Sequence, residues 1–227
     1  MNHYSAPLEK KREQLLQAGV IMMDPAAVYV EESVTVGAGT LLLPGTILRG
    51  ETVIGENCCI GPQTMITDST VEDGCTVNAS QCEESLIKRD CQIGPYTHIR
   101  PHCTVGEGSK IGAFVQLKNC TLGRETKMAH LTYVGDSDVG ENCNFGCGTV
   151  TCNYDGFQKH RTTIGSHVFV GCNTNFVPPV AIGDGAFIAA GTTVTEDIPE
   201  DAMAIGRVRQ EVKEGWAGEN RRRKGKQ

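Results

Sequence analysis

VEESVT-VGAGTL-LLPGTI-LRGETV-IGENCC-IGPQTM, residues 30–65, reads as six hexads laid end to end without a gap. Each opens on an aliphatic residue: Val30, Val36, Leu42, Leu48, Ile54 and Ile60. The fifth position is always small: Val34, Thr40, Thr46, Thr52, Cys58 and Thr64. A sustained period of six is neither the 3.6 of a helix nor a simple strand alternation, and marks a parallel β-helix. Each short strand directs its aliphatic side chain inward. A Gly at the corner adopts conformations that a Cβ would hinder, and the fifth residue is small because it stacks near the turn. Each coil buries its neighbours, so stability is a sum of nearest-neighbour contributions. The predicted class is all-β, a parallel β-helix.

The pattern extends far beyond this stretch. It slips by one residue, resumes as VEDGCT (71–76) and VNASQC (77–82), and runs from IKRDCQ (87–92) through IGAFVQ (111–116). LGRETK (122–127), VGENCN (139–144), FGCGTV, IGSHVF (164–169), VGCNTN, IGDGAF (182–187) and IAAGTT continue it. Two segments interrupt the hexads, 128–138 and the polar run TCNYDGFQKHRTT at 151–163. Insertions in solenoids become loops on one face, where binding collects. At the N-terminus, charged residues around Leu8, Leu15 and Leu16, with Gly19 as a stop, predict one short helix. The hexads fade after about residue 198. The chain therefore divides into a helix (1–20), the β-helix (21–200) and a C-terminal arm with a basic tail (201–227).

Composition excludes some function classes. Lys and Arg number 21 against 27 Asp and Glu, a net charge of −6, which argues against nucleic-acid binding. The only basic run, Arg221, Arg222, Arg223, Lys224 and Lys226, is expected to be a solvated, frayed terminus. No apolar leader opens the chain and no stretch is long enough to span a bilayer, so a cytoplasmic location with reduced thiols is expected. There are eleven Cys, an odd count that does not suit a fully paired framework. Cys58, Cys75, Cys91, Cys103 and Cys143 take the fifth hexad position and are expected to be small core fillers.

Chemistry concentrates at the first interruption, where His130 is followed three residues later by Tyr133. Imidazole titrates near neutrality and suits a general base. At this point a resemblance becomes specific. Hexad-repeat chains resemble the left-handed β-helix acyltransferases, which supplies the hand. KMAHLTYVGDSDVGENCNFGCGTVTCNYDG, IAAGTTVT and AIGRVRQEVKEGW resemble the acetyltransferase domain of bacterial bifunctional N-acetylglucosamine-1-phosphate uridyltransferase/glucosamine-1-phosphate acetyltransferase. The likeness begins near LLQAGVIMMDP and covers nearly the whole chain. The nucleotidyltransferase domain of those enzymes opens with a Gly-rich loop that these 227 residues do not contain. The resemblance therefore implies acetyl transfer alone, with a separate nucleotidyltransferase to complete UDP-N-acetylglucosamine.

The resemblance implies His130 as catalytic base and acetyl-CoA as co-substrate. Arg100 of HIRP, Lys118 of VQLK, Tyr133 and Asn144 of ENCN match ligands of the sugar phosphate. Asn153 and Tyr154 of CNYDG, Ala190 of IAAGT and Arg207 of IGRV match positions at acetyl-CoA. Cys147 and Cys172 stand at two further acetyl-CoA positions where Ala and Ser are usual, which predicts altered affinity and retained binding. Lys159 and the basic tail are further candidates for coenzyme phosphates. The resemblance also implies a homotrimer with shared sites, the C-terminal arm strapping onto a neighbour. The acceptor could instead be another amino-sugar phosphate or nucleotide sugar, or the chain a non-catalytic hexad-repeat subunit. No metal is expected: zinc needs three or four converging ligands, and the spacing of His98, His102 and His130 does not obviously converge.

Overall fold

A computed structural model describes residues 5–225; Lys226 of the basic tail and the first four residues of the N-terminal segment lie outside the described residues. Helix Ser5–Gln17 opens the chain and ends before Gly19, whose φ of +89° is a left-handed stop. Its Leu15 is buried over the first coil. Arg12 Nη1 donates to the Pro25 carbonyl and Lys11 Nζ to the Glu32 carbonyl, both at 2.8 Å.

From Ile21 the chain winds as a three-sided parallel solenoid. One face is an eleven-stranded parallel sheet, one strand per coil, from Ile21–Met22 to Met203–Ala204. The other two faces are joined into one 17-stranded network. They merge because two long strands, Gln116–Leu122 and Tyr133–Val139, run round the corner between them and pair along their whole length.

The hexads explain the packing. First-position residues Leu42, Leu48, Ile54, Ile60, Ile66, Ile93 and Ile99 are buried in one axial column system. Each is worth roughly 1.5–3 kcal/mol of burial. Fifth-position hydroxyls and thiols fill the corners and satisfy carbonyls there. Thr46 Oγ1 donates to Leu43 O (2.7 Å) and Ile60 O (3.0 Å), and Cys75 Sγ to Lys88 O (3.0 Å). All five fifth-position cysteines are buried as expected. Burial pushes the Cys58 thiol up to about 11, which keeps it protonated and unreactive.

Two sequence expectations change. Cys82 is not the sixth residue of VNASQC but the inward first residue of its own rung, wholly buried, because several rungs here are five residues long. Segment 128–138 is also not an insertion. Lys127–His130 and Tyr133–Val139 are regular strands, with Met128 and Val134 buried in the first-position column. Met replaces the expected aliphatic opening, and a five-residue rung, VGDSD, tightens the corner. The second interruption is a true loop between strands Val150–Thr151 and Thr162–Ile164.

Beyond Ala204 the chain leaves the solenoid, exposing Ile205, Val208, Val212 and Trp216. The final helix, Trp216–Arg223, includes three arginines of the tail, all exposed to solvent as expected. Cations at a helix C-terminus complement its dipole. No helix among the described residues is long and apolar enough to cross a membrane.

Candidate active site

His130 ends its strand at the corner of the eleven-stranded face, exposed to solvent, and pairs in register with Ala113 on the coil before. Leu131 turns the corner in the left-handed region at φ +41°. Thr132 fixes this turn by donating from its hydroxyl to the His130 carbonyl at 2.8 Å. The corner then repeats coil by coil. Gly148 N donates to Leu131 O, Asn173 N to Cys147 O and Gly191 N to Cys172 O. Arg207 follows, its Cδ lying 3.7 Å from where a Cβ on Gly191 would stand. His130, Cys147, Cys172, Ala190 and Arg207 therefore lie along one edge of the prism. Five residues picked from separate motifs share one ladder.

Past the corner, Tyr133 begins the next face beside Gln116, and Lys118 pairs with Gly135. Ile99 pairs with Leu117, so Arg100 and Lys118 follow at the same ladder position on successive coils. The loop 152–161 brings a third cation. Lys159 stands against Lys118 and pulls its ammonium below the ordinary lysine range; burial and the Arg100 charge act the same way, and Asp136 opposes them. Lys159 thus joins Arg100 and Lys118 in one cluster of three cations. Asn153 is buried, its amide donating to a carboxylate oxygen of Asp136 and lying 3.4 Å from the Tyr133 hydroxyl. Its side chain therefore faces Tyr133 and Asp136. Tyr154 is exposed, with its hydroxyl donating to Gly156 O at 2.6 Å. Asn144 points outward from the eleven-stranded face, between Lys127 and Phe169, and so lies across the corner from Tyr133.

The loop is held at both ends. Asp155 accepts the amides of Phe157 (2.7 Å) and Gln158 (2.8 Å), and His160 Nε2 lies 2.7 Å from its second oxygen. The Gln158 amide, the His160 ring and the Phe157 amide hold the Asp155 carboxyl at about 2. At the exit, Arg161 forms a two-pronged contact with Asp138, both at 2.5 Å, and donates to the Ser137 and Asn119 carbonyls. Asp136, Asn119 and Arg161 escape sequence reasoning. They are ordinary polar residues whose partners sit 17 to 42 positions away. Among the described residues no group of three or more His, Cys, Asp or Glu converges as a metal cage.

Comparison with known proteins agrees with this architecture. The family model for the bacterial transferase hexapeptide (six repeats) matches residues 33–68, 84–119 and 161–196. The chain is a left-handed β-helix whose hexads match that model over these three stretches. It is 50% identical over 214 residues to the bifunctional protein GlmU of Caldanaerobacter subterraneus subsp. tengcongensis, covering 94% of this chain and 47% of that protein. It is 51% identical over 204 residues to GlmU of Thermoanaerobacter pseudethanolicus, covering 90% and 45%. The chain thus spans about half the length of the curated relatives it matches, and resembles their acetyltransferase domain. Among solved structures, the UDP-N-acetylglucosamine acyltransferase of Francisella novicida superposes with a TM-score of 0.46 at 16% identity, covering 91% of this chain and 74% of that one.

Proposed function

We propose that this chain transfers the acetyl group of acetyl-CoA to the amine of glucosamine 1-phosphate. The carrying observation is the juxtaposition of His130, at the head of the Cys147–Cys172–Ala190–Arg207 edge, with the Arg100–Lys118–Lys159 cations on the adjoining face. The edge suits a long thioester: its residues are small until Arg207, a cation for a coenzyme phosphate. The adjoining face suits a dianionic sugar phosphate, since a planar guanidinium and two ammonium groups give both directional and point-charge attraction.

The chemistry follows from these positions. An amine attacks only when neutral, and His130 is the base that takes its proton. The nitrogen bonds to the thioester carbonyl carbon, negative charge passes to the carbonyl oxygen, and the C–S bond breaks to release coenzyme A. A donor for that oxyanion lowers the barrier. Asn144 lies across the corner from the acceptor cations, and this supports a site completed by a second copy in a homotrimer. A monomeric variant should then be inactive; full activity in a monomer would sink the shared site.

The test mixes the protein with acetyl-CoA and glucosamine 1-phosphate and follows coenzyme A release by chromatography, which avoids interference from the protein's own thiols. Glucosamine 6-phosphate and UDP-glucosamine run beside it. Turnover on glucosamine 1-phosphate that collapses in His130→Ala supports the proposal. Turnover on another acceptor alone moves the substrate, and none on any acceptor retires it.

A further inference from the structure

Asp136 is the most enclosed charge on the acceptor face. The same left-handed corner position holds Asp68, Glu84 and His102 on earlier coils, and all three are solvent-exposed. Asp136, with φ +48°, is only 7% exposed. A buried carboxylate persists only with partners, and this one has two. Asn119 Nδ2 donates to Oδ1 at 2.5 Å, and the Asn153 amide donates to Oδ2. Asn119 comes from the coil below and Asn153 from the loop above. Asn153 reaches on to the Tyr133 hydroxyl. Gly135 keeps this space open: a Cβ there would run into the Tyr133 hydroxyl and lie 2.9 Å from Asn153 Nδ2.

We infer that Asp136 is a positioning residue for the acceptor, the shared anchor through which Asn153 and Tyr133 are set against the Arg100–Lys118–Lys159 cations. This rests on the acetyl-transfer reading above. The carboxylate touches no reacting atom. It acts by presenting one acceptor oxygen to each of two amides, and only a carboxylate can do so. An asparagine in its place has the same shape and tolerates the left-handed backbone, but has one acceptor oxygen for two donors.

The experiment measures KM for both substrates and kcat in wild type, Asp136→Asn, Asn153→Ala and the double variant, with calorimetric titration of glucosamine 1-phosphate into each. Asp136→Asn should raise the acceptor KM about tenfold, the scale of one misplaced hydrogen-bonding contact, and leave the KM for acetyl-CoA unchanged. The double variant should bind the acceptor no worse than Asn153→Ala. Acceptor binding that is unchanged or tighter in Asp136→Asn overturns the inference, since a mere counter-charge to the cations would give that result. Strictly additive losses in the double variant overturn it too. If Asp136→Asn does not fold, Asn119→Ala loosens the same anchor and keeps the carboxylate; an unaltered acceptor KM there is equally decisive against it. A wild type that neither turns over nor binds glucosamine 1-phosphate removes the acetyl-transfer reading, and this inference with it.

Discussion

Between Val30 and Met65 and again between Ile111 and Ile164, the solenoid presents the same interior to its axis: aliphatic residues on the strands, small hydroxyls and thiols at the corners. The outward residues part company. In the first region the left-handed positions are Gly39, Gly45, Gly50, Asn57, Gly61 and Gln63, none of them ionisable. In the second, comparable corners carry Leu131 beside His130, and Asn119 and Asp136 beside the cations. The inward code sets the fold and is nearly the same in both regions. The outward set is where the two regions differ, and the loop 152–161 encloses part of that surface in the second. The lesson is that a regular ladder aligns distant residues without itself being specialised.

The comparison breaks most sharply at His130. His130→Ala should cut turnover on the order of 10²–10⁴-fold, the usual contribution of a general base, with melting temperature unchanged, as measured by coenzyme A release and calorimetry. An interior change should do the reverse. Ile99→Ala removes a fully buried side chain and should cost about 2–5 kcal/mol by denaturant titration; a loss under ~1 kcal/mol would mean that the coils collapse readily around a void. Next in size is Lys159. Lys159→Gln should raise the acceptor KM about tenfold. It should also relieve Lys118, so that the alkaline limb of acceptor kcat/KM, set by loss of the Lys118 proton, moves to higher pH. An unmoved limb would uncouple the two lysines.

Smaller effects sharpen the picture. Of the eleven thiols, only Cys59, Cys147, Cys152 and Cys172 are not buried, so a disulfide reagent should titrate at most these four in the folded chain. Acetyl-CoA should slow Cys147 and Cys172 alone. Asp136 supplies the acid test. Burial pushes its carboxyl up, but the Asn119 and Asn153 amides and the Lys118 and Lys159 charges outweigh that and hold it below the ordinary aspartate value. A depressed carboxyl stabilises the fold above its unfolded value, near 3.9, and loses that contribution as pH falls through the folded value. Acid unfolding curves of wild type and Asp136→Asn should therefore converge only at strongly acid pH.

The fold was legible because its determinant is local. Six residues suffice to show which side chain turns inward, and Val30 to Met65 shows it six times. Register failed only where rungs shortened to five, at Cys82 and at VGDSD, since a missing residue leaves no mark in a single hexad. The site was partly legible. His130, Cys147, Cys172, Ala190 and Arg207 came from motif likeness, and the ladder then aligned them. Where Lys159 and Asn153 point was not legible, because the direction of a loop is set by contacts such as Arg161 with Asp138 that no short spacing encodes. Asp136 was invisible for the same reason: its burial is supplied by that loop.

The edge that begins at His130 has a consequence for how such a chain can change. Neighbouring rungs are separated by about 4.8 Å, so the four steps from His130 to Arg207 form a ruler of about 19 Å. The ruler is graduated in whole coils and admits no intermediate setting. Extra residues between Thr151 and Thr162 bulge sideways and leave its length unaltered, whereas one added coil lengthens it by a full division. Loop variation can thus reshape the neighbouring surface while the distance from His130 to Arg207 stays fixed, and changing that distance would require the gain or loss of an entire coil.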